Sequence, residues 1–222
     1  MKNLVLLILV FSRFHSICLA QVPVSKEPRH HNILENGHIR LLDVHIPPGD
    51  TTQIHIHATP SVFVILTNKV KVGSQVISEE KSARLNTGDN DNIWFEGFYK
   101  QPRIHRVWNS DTAEYHVMDI ELTNKNFIAI DSPIRQPAFT LLFEEKPVRA
   151  YRLSMVNIVK LTVPERKADL LVIRLTDSKY TIQLNAKSFR KKGDYIYIPS
   201  GKSFEILNGG DGKDEFGFFE LK

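Results

Sequence analysis

The chain has 222 residues, of which 42% are hydrophobic and 24% charged, with a formal net charge of +4. That is enough apolar chain for a sizeable core in one or two domains. Arg190, Lys191 and Lys192 are too short a basic run, without interleaved aromatics, to mark a nucleic-acid surface. Cys18 is the single cysteine, which excludes a disulfide framework within the chain.

Residues 1–20 read as a secretory signal: Lys2, then the apolar LVLLILVF, then Cys18-Leu19-Ala20 before Gln21. The apolar run is about eight residues, far below the roughly 20 that span a bilayer. Cleavage before Gln21 gives a secreted or periplasmic chain with no membrane association. It also removes Cys18, Lys2 and Arg13, which lowers the charge to +2. Residues 21–34 read as an N-terminal arm, with His30 and His31 as solvated arm residues and His38 and His45 unsupported by any neighbouring ligand.

The body reads as short strands at 38–46, 52–58, 61–67, 69–72, 92–95, 105–109 and 115–122. Turn residues punctuate them at Pro47-Pro48-Gly49-Asp50, Asn86-Thr87-Gly88-Asp89 and Asn109-Ser110-Asp111. No long 3.6-residue period appears, so the fold class is all-β, a sandwich or barrel. In the extended run TQIHIHA, His55 and His57 stand at i and i+2, so both imidazoles point to one face, where they can share a metal ion. The alternative is a pair of solvent-facing histidines on a half-buried strand. His105 is a third candidate ligand.

The segments around these histidines resemble the two sequence motifs of the cupin superfamily. Gly49, His55 and His57 match the first; Gly88, Pro102, His105 and Asn109 match the second, with a stretched middle. The glutamate of the first motif would fall at Ser61 or Val62 and is missing. The second half repeats the first. VFVILTNKVKV (62–72) aligns with LVIRLTDSKYT (171–181), and HIRLLDV with PVRAYRL, at an offset of 109; Asn109 and Asn208, like Glu121 and Glu220, are 99 apart. The resemblance therefore implies a bicupin: two tandem jelly-roll (double-stranded β-helix) barrels, at 35–130 and 131–222. In the second, Pro164, Arg166 and Phe204 stand where His55, His57 and His105 stand in the first. Loss of all three together is what a shared metal predicts, so one site is expected in the N-terminal barrel and an apolar, metal-free C-terminal barrel.

Imidazole donors suit Fe, Zn, Cu and Ni better than Mn or Mg. Without the glutamate, the site resembles the three-histidine cupins that bind Fe(II) and activate O₂ as dioxygenases. The readings that compete are a zinc or nickel cupin doing isomerase or lyase chemistry on a sugar or carboxylate, and a non-catalytic module that binds a small molecule or carbohydrate. His116, Tyr115 and Glu121 on 115–122 are candidates for a catalytic acid or base, His116 if the Met118 face looks inward. Gln53, one alternation before His55, is a candidate fourth ligand or outer-shell partner. Between motif glycine and asparagine the first half is longer, 21 residues (88 to 109) against 15 (193 to 208). This segment supplies Phe95, Phe98, Tyr99 and Trp108 as pocket candidates, either a lid over the barrel mouth or a seal between barrels. Pairing of long edge strands into a homodimer is compatible with the pattern, and the burial of Tyr195 to Ile198 would depend on it.

Overall fold

The computed structural model describes residues 21–78, 83–86, 93–177, 182–185, 187–208 and 213–222. The signal segment and Gly88 lie outside them. In the first half the strands are β1 (Val22–Pro23), β2 (His30–Glu35), β3 (Ile39–Ile46), β4 (His55–His57), β5 (Ser61–Ile65), β6 (Lys71–Val76), β7 (Ala83–Asn86), β8 (Ile93–Glu96), β9 (Arg103–Asn109) and β10 (Tyr115–Leu122). The second half holds β11 (Phe139–Glu144), β12 (Val148–Ser154), β13 (Lys160–Val163), β14 (Asp169–Arg174), β15 (Ile182–Leu184), β16 (Lys187–Phe189), β17 (Tyr195–Ile198), β18 (Phe204–Asn208) and β19 (Glu215–Leu221). Among the described residues the only helical turn is a 3-10 turn at Val24–Lys26, and no helix is long and apolar enough to cross a membrane.

The first half forms two sheets, β2-β3-β10-β5-β8 and β1-β4-β9-β6-β7; the second forms β11-β12-β19-β14-β17 and β13-β18-β15-β16. Apart from β1, the strand order occurs twice. Repeated side chains do the same work in each copy. Arg40 reaches Glu121 at 2.7 Å, and Arg149 reaches Glu220 at 2.9 Å. Asn109 donates from Nδ2 to the Ile46 carbonyl at 2.9 Å, while Asn208 Nδ2 reaches the Met155 carbonyl at 3.5 Å. Each asparagine thereby fastens its strand to the carbonyl at the end of β3 or just after β12, the second strand of the facing sheet in each half.

The two inner sheets pack face to face. Ile39, Leu41, Val62, Val64, Met118, Ile120 and Leu122 from the first half share one core with Val148, Ala150, Leu171, Ile173, Phe219 and Leu221 from the second. Side chains alternate along a strand, so the opposite faces line the interiors of the barrels: Leu42, Val44, Ile46, Tyr115 and Val117 in the first half, and Tyr151, Leu153, Phe216 and Phe218 in the second. β10 is consequently buried along nearly its whole length. The second interior is filled by Phe139, Phe189, Phe204, Phe216 and Phe218.

Three expectations are corrected. Residues 21–34 are no solvated arm: β1 pairs with β4, β2 pairs with β3, and His30 is only 9% exposed. The strand expected at 52–58 shrinks to His55–His57, because residues 52–54 are held instead by Thr52, whose N–H donates to the Val107 carbonyl (2.8 Å) and whose Oγ1 accepts from Val107 N–H (2.9 Å). Tyr195 and Tyr197 are covered by the first half of the same chain, with the Tyr195 hydroxyl donating to the Ile33 carbonyl at 2.8 Å.

Candidate metal centre

The site is built where β4 and β9 pair antiparallel. That register sets His105 directly opposite His55, with His57 two residues along on the same face. The turn leading into β4 closes with Asp50 N–H on the Pro47 carbonyl, and Gly49 takes φ +76°, the left-handed value a type II turn needs at its third residue. His30 enters from β2 in the other sheet, its ring centroid 4.9 Å from that of His55. Ligand atoms of His30, His55 and His57 all lie within 4.8 Å of one another, so the three could hold a metal ion. The His105 ring closes the group at 4.6 Å from His55 and 5.0 Å from His57.

The outer nitrogens decide which atoms face inward. His55 Nδ1 contacts the Gln53 carbonyl at 2.8 Å, His30 Nδ1 contacts Glu27 Oε2 at 2.6 Å, His105 Nδ1 meets Ser74 Oγ at 3.2 Å, and His57 Nδ1 faces Asp119 Oδ2 at 3.4 Å. Three of these Nδ1 atoms are thus hydrogen-bonded to an outer partner and that of His57 only faces a carboxylate, leaving Nε2 as the nitrogen available to an ion, the arrangement that orients metal-binding imidazoles. His105 Nε2 is buried with no hydrogen-bond partner, and the Nε2 atoms of His55 and His57 are 3.1 Å apart. Two metal–nitrogen bonds of ~2.1 Å at right angles would place their nitrogens ~3.0 Å apart. The donor set therefore fits a divalent transition metal.

Electrostatics keep two of these donors, His55 and His105, neutral. Burial, reinforced by His57 and His30, drives the His55 pKa down to about 3. Burial, then His55 and His57, drives His105 down to about 2. Glu27, itself buried, is held below its ordinary carboxylate range: burial opposes its charge, but the contact to His30 and the N–H groups of Gln53 and Arg29 outweigh it.

Around the nitrogens lies a cavity of about 270 Å³ whose walls are mainly apolar, among them Val44, Ile46, Phe63, Val72 and Trp94. Phe63 and Trp94 stack at 5.1 Å and 23°. Phe98 lies against His57 at 5.6 Å and takes φ +52°, a left-handed backbone that costs a non-glycine residue roughly 1–2 kcal/mol. Arg103, opposite His57 in the β4–β9 register, lines the cavity and places its guanidinium 5.6 Å over the Phe98 ring.

No family model matches the sequence, and no curated protein matches it. Solved structures do match the fold. YhhW from Escherichia coli superposes with a TM-score of 0.61 at 13% identity, over 86% of this chain and 84% of that one. A cupin 2 conserved barrel domain protein from Leptotrichia buccalis gives 0.52 at 10% identity, over 92% of this chain and 100% of that one. The fold is the cupin fold. The salicylate 1,2-dioxygenase of Pseudoaminobacter salicylatoxidans, in adducts with gentisate, gives 0.54 at 10% identity, over 91% of this chain and 76% of that one. At these identities the likeness is one of fold, so the chemistry has to be argued from the cupin interior itself.

Within this cupin barrel, His55, His57 and His105 converge. The other site residues expected from sequence divide. Gln53 is exposed; only its main chain serves the site, the carbonyl meeting His55 and the N–H meeting Glu27, because the strand alternation that would have turned its side chain inward starts at His55. His116 shares a face with Met118 as expected, but that face looks away from the cavity and toward the second half. Burial on both faces of β10 removes the contrast from which its inward side was inferred. Of the aromatic residues, Phe98 reaches the site. Phe95 instead packs toward Phe143 in the core between the halves, Tyr99 is 64% exposed, and Trp108 lies flat on Gly73 of the neighbouring strand. The 95–101 segment thus sends Phe98 to His57 and Phe95 to the core between the halves.

Sequence reasoning missed His30, Asp119, Trp94 and Arg103. A signal for two of them was present: the repeat sets His30 opposite Phe139 and Asp119 opposite Phe218, just as it sets His105 opposite Phe204. In the second half those three phenylalanines form one aromatic cluster, with Phe218 at 5.2 Å from Phe139 and 5.8 Å from Phe204.

Proposed function

We propose that this chain is a metal-dependent oxidoreductase whose N-terminal cupin binds one divalent transition metal, iron before zinc or nickel, on His30, His55, His57 and His105. The substrate is a small, largely apolar molecule, and O₂ is the oxidant. The carrying observation is the convergence of four imidazoles, three of them with Nδ1 hydrogen-bonded outward, on an apolar, aromatic-walled cavity. When bound, the metal would supply the redox couple and open positions that O₂ chemistry requires. The remaining work falls to the protein. Val44, Ile46 and Val72 keep water from the reacting centre, Phe63 and Trp94 offer flat faces to a planar substrate, and Arg103, which also pairs with Glu96 at 3.3 Å, can hold an anionic substituent. Glu27 fixes the ring of His30, and Asp119 stands beside that of His57, ready to accept from its Nδ1–H when the metal is bound. The apolar wall favours this reading over carbohydrate binding, for which a polar lining would be needed.

In the same proposal, residues 1–20 direct export, and residues 35–130 and 131–222 are two cupin domains, of which only the first carries a metal. The experiment is elemental analysis of tag-free protein beside the His105→Ala variant, followed by O₂ uptake with phenols and aromatic carboxylates. About one iron per chain, lost in the variant, with substrate-dependent O₂ uptake, is the expected result. A chain that stays metal-free when iron is supplied would overturn it. N-terminal sequencing of the exported protein, expected to begin at Gln21, tests the signal.

A further inference from the structure

We propose that Asp43, His45 and His116 form a second divalent-metal site, on the outer face of the first barrel at its seam with the second half. The geometry is a local copy of the first site. There, β4 carries His55 and His57 at i and i+2, and β9 places His105 directly opposite His55. Here, β3 carries Asp43 and His45 at i and i+2, hence on one face, and β10 places His116 directly opposite His45. The same three-point arrangement thus recurs on the other sheet, with a carboxylate replacing one imidazole.

Side-chain positions agree with this reading. His116 Nε2 lies 2.6 Å from Asp43 Oδ1, and His45 Nε2 lies 3.1 Å from Asp43 Oδ2. The two imidazoles stack at 4.1 Å and 21°, and both turn Nε2 toward Asp43. The three ligand atoms lie within 4.8 Å of one another. A tetrahedral ion with bonds of ~2.0–2.1 Å sets its ligand atoms about 3.3 Å apart, so the two nitrogen–carboxylate contacts need to lengthen by well under about 1 Å to receive it. Glu114 Oε2 stands 3.1 Å from His45 Nδ1, the outer carboxylate that fixes a ligating imidazole. On β2, His31 is paired with Asp43 in register, and its ring is 6.3 Å from that of His45, close enough for a changed side-chain rotamer to offer a fourth ligand.

Solvent can deliver the ion: the side chains of His116, Asp43 and His45 are 18%, 25% and 34% exposed. The site borders the second half, where a Cβ placed on Gly193 would stand 3.2 Å from His116 Cε1. Two imidazoles and one carboxylate with open positions suit zinc and its first-row neighbours. A metal here lies outside the cavity and is independent of the reaction proposed above.

The test is a zinc titration of the full, tag-free chain against a chromophoric chelator, with thermal unfolding as a check on folding. Wild type is expected to take up two equivalents. His116→Gln and Asp43→Asn, which keep size and shape, should each lose one while keeping the equivalent held by His55 and His57, and zinc should raise the unfolding temperature less in either variant than in wild type. His55→Ala/His57→Ala should lose the other equivalent. If His116→Gln and Asp43→Asn both bind as much zinc as wild type, the second site is wrong. A chain whose only equivalent survives His55→Ala/His57→Ala and disappears with His116→Gln would uphold this site and overturn the one in the cavity.

Discussion

His57 Nδ1 and Asp119 Oδ2 face one another at 3.4 Å with both side chains almost wholly buried. Among the described residues neither Asp119 oxygen has a hydrogen-bond partner. A buried carboxylate left in that state is costly, and a metal on His57 Nε2 relieves the cost by making Nδ1–H a stronger donor toward Asp119. Asp119→Asn is therefore expected to weaken metal retention by roughly 10- to 100-fold while leaving the fold intact. Chelator competition measures it; equal affinity in the two proteins would remove Asp119 from the metal's surroundings.

Glu27 and His30 form the second such pair, at 2.6 Å, and they tie residues preceding β2 to the site. Glu27→Gln keeps the shape but loses the charge that orients His30. A loss in metal affinity smaller than that of His30→Ala, yet clearly measurable, is expected. If His30→Ala retains metal as tightly as wild type, the centre is a three-histidine one.

The cooperative unit should be the whole described chain rather than either half, because the two inner sheets share one core. Leu171 is fully buried in it, and Leu171→Ala should cost about 2–5 kcal/mol. Thermal unfolding of both proteins is expected to remain a single transition. Two resolved transitions, with only the later one shifted, would contradict a shared core.

Acid should weaken the seam between the halves through Asp169. Burial raises the pKa of this carboxyl, but hydrogen bonds from the Tyr197 hydroxyl and Ser200 N–H, with His38 nearby at 3.2 Å, outweigh burial and hold it below its ordinary 3.8. A carboxylate with a lowered folded pKa stabilises the protein above its unfolded value, and that contribution is lost as the pH falls through the folded one. Asp169→Asn should accordingly be less stable than wild type at neutral pH, with the difference shrinking below about pH 4. Denaturant midpoints across pH 3–7 check this, and a constant difference would argue against it.

What the sequence by itself determined is the part carried by period and repeat. Alternation with turn residues dictated an all-β chain, the two cupin motifs placed His55, His57 and His105 together, and the 109- and 99-residue offsets matched Arg40 to Arg149 and Asn109 to Asn208, which the fold then uses in the same way. Tertiary structure decided which face of each strand looks into a barrel. β3 and β10 are apolar on both sides because a second sheet covers their outer faces, so hydrophobicity could not tell Asp119, which points to the histidine-lined cavity, from His116, which points away. It also decided His30, whose approach to His55 depends on packing one sheet over the other, a contact with no local spacing to announce it.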